Sequence, residues 1–193
     1  MTYERPESMS EKNVIELLLR QHQEIRELFG EVETATGTSR TAAFDQLRRL
    51  LAVHETAEEE IVHPYARRAI DGGEKIIELR LAEENQAKKM LSELEDIGPD
   101  GSGFMQKFAD LRAAVLDHAE QEEREEFPYV EKLATGQQLA GMARAVKAAQ
   151  AMAPTHPHPG VESPTANVLV GPFAAMMDRT RDVIRQAMGK QKG

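Results

Sequence analysis

Two twelve-residue stretches of the chain repeat one another. His54-Glu-Thr-Ala-Glu58-Glu59-Glu-Ile-Val-His63-Pro64-Tyr65 aligns with His118-Ala-Glu-Gln-Glu122-Glu123-Arg-Glu-Glu-Phe127-Pro128-Tyr129 at an offset of 64. Both read H-x-x-x-E-E-x-x-x-[H/F]-P-Y. The stretches that precede them match more weakly. Leu19-Arg-Gln-His22-Gln…Leu28 aligns with Ala82-Glu-Glu-Asn85-Gln…Leu91 at an offset of 63. A chain with this repeat is built from two copies of a helix pair. Each pair offers one polar position on its first helix and an H-x-x-x-E on its second.

Hydrophobic periodicity supports helices throughout and gives almost no strand signal. Over residues 12–33, Ile15, Leu18, Leu19, His22, Ile25, Phe29 and Val32 recur at steps of three and four, the pattern of one buried face. Gly37-Thr38-Ser39 reads as a break. A second helix is expected from Thr41 to Ile70, stopped by Asp71-Gly72-Gly73. A third runs from Glu74 to Ile97, before the turn Gly98-Pro99-Asp100-Gly101-Ser102-Gly103. A fourth runs from Phe104 to Leu133. Long helices joined by short turns pack as antiparallel neighbours. The expected fold is therefore all-α, an up-down antiparallel four-helix bundle over residues 1–136. Residues 137–193 form a C-terminal extension: an Ala-rich helix over Gln137 to Met152, a Pro-rich linker over Ala153 to Gly171, and an amphipathic helix over residues 172–188 opened by Pro172.

Composition narrows the chemistry. With no cysteine among 193 residues, disulfides, thiolate zinc sites, iron–sulfur clusters and cysteine nucleophiles are excluded. No phosphate loop, G-x-G-x-x-G or serine-nucleophile motif is present. No apolar run reaches the roughly 18 residues of a membrane span, and the start lacks a signal-peptide pattern. These features give a cytoplasmic expectation with no membrane partner. The net charge is −9, and the acidic side chains concentrate before residue 137, which opposes nucleic acid as the main partner. The extension is basic. It either docks on the acidic body or presents a solvated helix face, and the solvated face is the default.

Residues four apart on a helix lie about 40° apart and one turn along. His54 and Glu58 therefore point the same way, as do His118 and Glu122, whereas Glu59 and Glu123 are expected to face water. A single H-x-x-x-E is usually a surface pair. Two copies, each followed by E-x-x-x-x-P-Y and joined by a core-phased His22, point instead to a buried metal site. Buried carboxylates need a metal or a basic partner. Imidazole and carboxylate without thiolate suit iron or manganese better than zinc.

This arrangement, His22 with His54-x-x-x-Glu58 and His118-x-x-x-Glu122 over four helices, resembles the hemerythrin-like (HHE cation-binding) family across residues 12–134. The resemblance implies a non-haem di-iron centre with oxo or hydroxo bridging, held by His22, His54, Glu58, His118 and Glu122, the two carboxylates bridging. It implies a small-molecule partner: oxygen, peroxide or nitric oxide. Two other readings stand beside it, a catalase-like di-iron enzyme that disproportionates peroxide and a metal-poor helical scaffold. One position departs from the family. The third helix usually supplies a His, and the repeat alignment puts Asn85 there. Three outcomes follow: an open coordination position, a substitute such as Glu84 or a tyrosine, or a site that holds one metal or none.

Other polar and aromatic residues have plainer readings. Tyr65 and Tyr129 are expected at the core or bundle end, although the Pro before each could distort its helix. His63, nine residues from His54 and so about 180° away, is expected to be exposed. His156 and His158 are expected to be linker, and Met176 and Met177 to fill core.

Overall fold

The computed structural model describes residues 13–152 and 172–189. Among them every regular element is helical: α1 Val14–Thr34, α2 Gly37–Ala57, a π-helical turn Glu58–Val62, α3 His63–Ala69, α4 Gly73–Ile97, α5 Phe104–Glu125, α6 Phe127–Leu133, α7 Gly136–Met152 and α8 Pro172–Ala187. No described helix is long and apolar enough to cross a membrane. The Pro-rich stretch with His156 and His158 lies outside the described residues.

Local chemistry sets the boundaries. The Asn13 side chain accepts the Ile15 N–H and opens α1. The expected break at Gly37-Thr38-Ser39 falls two residues earlier, at Ala35-Thr36, and Gly37 is already helical. Gly72 takes φ +71 ahead of α4. A Cβ on Gly73 would lie 2.6 Å from the Ala66 carbonyl oxygen, so only glycine permits this tight corner.

The two Pro-Tyr steps each deform their helix. Pro64 has no N–H to give the carbonyl four residues back, and a π-helical turn inserts just ahead of it. Pro128 follows a break at Glu126, with φ −121 and ψ −59, which divides the expected fourth helix into α5 and α6. The second expected helix is therefore α2, the π-turn and α3 in continuous succession.

Helix α1 packs on α2 and α5, α4 on α5 and α3, α7 on α1 and α2, and α8 on α2 and α7. Helix α2 is thus covered on several sides. Its residues 51–57 are all buried, which an ordinary amphipathic surface helix would not achieve. The basic α8 docks rather than standing as a solvated face. Its Phe173, Met177 and Ile184 are buried. Arg181 and Arg185 pair with Glu59 and Glu60 of the π-turn, and Glu95 of α4 accepts the Phe173 N–H at 3.0 Å.

The core divides into two apolar clusters. One gathers Leu17, Leu18, Val62, Ile77, Phe127, Val146 and Ile184. The other gathers Phe29, Phe44, Leu47, Leu94, Phe104, Phe108 and Phe173. Between them lies a layer of buried polar side chains: Gln21, His22, His54, Glu58, Glu84, His118 and Glu122. This layer holds the chemistry.

Candidate metal centre

All five expected ligands converge in this layer. His22, His54, Glu58 and Glu122 can each bring one donor atom within 4.8 Å of the others. A second set of the same kind joins Glu58, Glu84, His118 and Glu122. The two sets share Glu58 and Glu122. One side therefore has two imidazoles, from α1 and α2. The other has an imidazole from α5 and a carboxylate from α4. The shared carboxylates come from the π-turn and from α5.

The position opposite His22 belongs to Glu84, not to Asn85, which is exposed. Glu84 is only 1% exposed. The first helices of the two halves are related by an offset of 62, one less than their sequences suggest. At that offset Gln21 corresponds to Glu83 and His22 to Glu84. Of the substitutes expected for the third-helix histidine, Glu84 reaches the layer. The tyrosines do not join either set: Tyr65 packs against the first apolar cluster and Tyr129 is exposed.

Each histidine is held from behind. His54 Nδ1–H donates to Gln21 Oε1 at 2.9 Å, His22 Nδ1–H to Glu123 at 2.7 Å, and His118 Nδ1–H to Glu83 at 2.9 Å. A proton fixed on Nδ1 turns Nε2 inward as the atom that can ligate once it is unprotonated, the arrangement that metal-ligating histidines use. The Nε2 atoms of His22 and His54 meet at 3.0 Å. His22 Nε2 lies 3.4 Å from Glu122, His54 Nε2 3.4 Å from Glu58 and His118 Nε2 3.3 Å from Glu122.

The outer partners repeat like the inner ones. Arg26, four residues after His22, holds Glu123 at 2.9 Å. Lys88, four residues after Glu84, pairs with Glu59. Neither Glu59 nor Glu123 faces water freely, contrary to the expectation from spacing. Sequence reasoning sent both to water because residues five apart on a regular helix lie about 140° from the histidine, and their partners come from other helices. It also misplaced His63, which is 2% exposed. The π-turn puts more residues into one turn and moves His63 off the far side of the helix. Its Nε2–H donates to Glu84 at 2.6 Å and its Nδ1–H to Glu126 at 3.0 Å.

The electrostatics are strongly perturbed. Burial pushes the Glu58 carboxyl well above the usual range, and Glu122 and Glu55 push it further. Burial also raises Glu122, but the nearby charges of His118 and His22 outweigh it and hold Glu122 well below that range. Burial lowers His118, yet Glu122 and Glu83 carry it up to about 11. His54 is lowered by burial and then by His22. Burial lowers His63 as well, but its hydrogen bonds to Glu126 and Glu84 take it up to about 10, consistent with N–H donation from both nitrogens.

These residues fit cation binding on a feature of the protein itself. Both carboxylate oxygens of Glu58, both of Glu122 and Nε2 of His118 are buried without a hydrogen-bond partner. Buried acceptors of this kind normally find a partner, and leaving two carboxylates so would be costly. Bound cations would satisfy these atoms.

Comparison with known proteins agrees with this geometry. Residues 13–130 match the hemerythrin HHE cation-binding domain. An uncharacterised hemerythrin-like protein of Schizosaccharomyces pombe is 27% identical over 70% of this chain and 68% of its own length. A DNA nickase of a Nostoc species is 25% identical over 72% of this chain, but the match spans 39% of that protein. The crystal structure of a hemerythrin HHE cation-binding domain-containing protein from Mycobacterium kansasii superposes with a TM-score of 0.63 at 25% identity, covering 72% of this chain and 85% of that one. With its repeated H-x-x-x-E helices converging on one buried layer and most of its length matched, the chain belongs to the hemerythrin HHE cation-binding domain family.

Proposed function

We propose that this protein is a non-haem di-iron protein that binds or reacts with a small molecule, oxygen, peroxide or nitric oxide, in the polar layer of an up-down four-helix bundle. The described helices before residue 137 form that bundle, and α7 and α8 of the C-terminal extension cover it. The observation that carries the reading is the pair of donor sets that share Glu58 and Glu122. Shared carboxylates whose oxygens lack protein partners suit two adjacent cations. His22 and His54 would hold one, His118 and Glu84 would hold the other, and Glu58 and Glu122 would contribute to both.

When bound, the iron pair supplies vacant positions and changes of oxidation state for a small oxidant. The chain's own residues do the rest. Gln21, Glu83 and Glu123 orient the three imidazoles. His63 plays the same part for Glu84, between that carboxylate and Glu126. The apolar clusters on both sides exclude bulk water, which strengthens every charge interaction in the layer. The exposure of Asn85 removes the one feature that favoured a metal-poor scaffold.

The test is metal content per chain after growth with iron, followed by visible spectra with and without azide, nitric oxide or peroxide. About two irons and a spectrum that changes with such a ligand support the proposal. Iron-loaded protein that releases oxygen from peroxide, and loses this in Glu58→Ala, is the enzyme form of the same reading. Protein that holds no more than trace metal refutes both.

A further inference from the structure

The π-turn carries three consecutive glutamates that differ in what they meet. Glu58 belongs to both donor sets, and its two oxygens are buried without a hydrogen-bond partner. Glu59 and Glu60 are held from outside, and each of their four oxygens has a cationic partner. Lys88 of α4 takes Oε1 of Glu59, and Arg181 of α8 takes Oε2 at 3.2 Å. Arg185 of α8 grips Glu60 with two parallel bonds, Nε to Oε2 and Nη2 to Oε1, both 2.9 Å. Arg181 Nε adds a contact to Glu60 Oε1 at 3.1 Å, and its Nη1 holds Asp178 on its own helix at 2.7 Å. The Lys88 ammonium also lies 3.4 Å from Glu84 Oε2, so the same network reaches a second candidate ligand.

The other half of the bundle is built without α8. Glu122 sits in regular α-helix, and Glu123 after it is held by Arg26 and His22 of α1. The position matching Glu60 is Arg124. The α8 contacts therefore fall on the half in which the backbone leaves α-helical geometry, a departure that occurs mostly as single turns at functional sites. Helix α8 also lies outside the family-matched residues 13–130. We infer that Arg181 and Arg185 are positioning residues of the metal centre: through Glu59 and Glu60 they clamp the π-turn from outside, so that Glu58 stays aimed at the cations. The inference rests on the proposed metal centre for the role of Glu58. Isolated surface ion pairs add little to stability, and the apolar face of α8, with Phe173, Met177 and Ile184 buried, suffices to dock the helix. The arginines are thus free to serve geometry. Docking of α8 and metal binding are then linked, each strengthening the other by the same factor.

The test is anaerobic binding of ferrous iron to the full chain, measured by competition with a chromophoric chelator. The double variant Arg181→Gln/Arg185→Gln should bind iron about 10–100-fold more weakly, the usual cost of losing an outer partner of a ligand, while still taking as many irons per chain as wild type. Simple charge arithmetic predicts the opposite sign, because removing two positive charges beside a cation site favours cation binding. The double variant Arg181→Lys/Arg185→Lys, which keeps both charges and an N–H for each carboxylate, should recover most of the affinity. Hydrogen exchange supplies a second readout: iron should slow exchange of the α8 amides in wild type, and less so in the glutamine variant. A glutamine variant that binds iron as tightly as wild type, or more tightly, overturns the clamp. Exchange in α8 that is the same with and without iron also overturns it. Wild-type protein that binds no iron overturns the metal centre itself, and the clamp with it.

Discussion

Glu58→Met should stabilise the metal-free protein and destabilise the metal-loaded one relative to wild type. Both Glu58 oxygens are buried and without a hydrogen-bond partner. A buried polar group left in that condition costs about 1–3 kcal/mol. Burial and the charges of Glu122, Glu55, Glu84 and Glu126 all disfavour its ionised form, so an uncharged replacement gives up no favourable charge pairing. Methionine is unbranched and adapts to irregular space. A gain of about 2 kcal/mol corresponds to a rise in Tm of about 4–8 °C for a chain of this size. Loading reverses the order. At a free metal concentration of about 1,000 times Kd, linkage stabilises wild type by about 4 kcal/mol, which the variant, lacking a shared donor, does not gain. The assay is scanning calorimetry of chelator-stripped and metal-loaded samples of both proteins. A stripped Glu58→Met protein that melts below stripped wild type would show that Glu58 stabilises the fold through its own contacts. A variant that gains the full wild-type shift on loading would show that Glu58 is not a ligand. Either result refutes the reasoning.

Glu84→Ala should lower the bound metal from about two per chain to about one, whereas Asn85→Ala leaves it unchanged; elemental analysis decides, and the reverse pattern would restore Asn85 to the site. Metal binding should release protons and strengthen as pH rises, because His118 is held protonated up to about 11 and must lose its Nε2 proton to ligate. Titration calorimetry in buffers of different ionisation enthalpy measures the release, and none between pH 6 and 8 would contradict it. Gln21→Ala and Glu83→Ala each remove the group behind one imidazole, and should weaken metal binding about 10–100-fold while leaving two sites per chain; chelator competition measures this. Ile184→Ala, at a fully buried position of α8, should cost about 2–4 kcal/mol in denaturant unfolding, and no loss would mean that α8 does not dock in solution.

Much of the site was legible because its chemistry is local. His54 with Glu58, and His118 with Glu122, lie one helical turn apart, so regular geometry alone brings each pair to one face. His22 was legible from its phase among apolar neighbours. What was not legible depends on departures from regular geometry or on distant packing. The π-turn ahead of Pro64 changes the phase of the helix, and α-helical arithmetic then sends His63 to the wrong side. The first helices of the two halves differ in offset by one residue from their best sequence alignment. One residue is about 100° on a helix, enough to exchange buried Glu84 for exposed Asn85. Spacing alone sent Glu59 and Glu123 to water, because their partners, Lys88, Arg181, Arg26 and His22, come from other helices. The docking of α8 follows from the same long-range pairing. Amphipathicity shows that a helix has a face to bury, but not which surface will cover it.

The central claim is that two cations share Glu58 and Glu122 between a His22/His54 side and a His118/Glu84 side. Anomalous diffraction at the iron edge from crystals of iron-grown protein tests it most directly. The account predicts two iron peaks about 3.5–4 Å apart, both in contact with Glu58 and Glu122, one beside His22 and His54 and the other beside His118 and Glu84. A single peak, or two peaks that do not share the carboxylates, would contradict it.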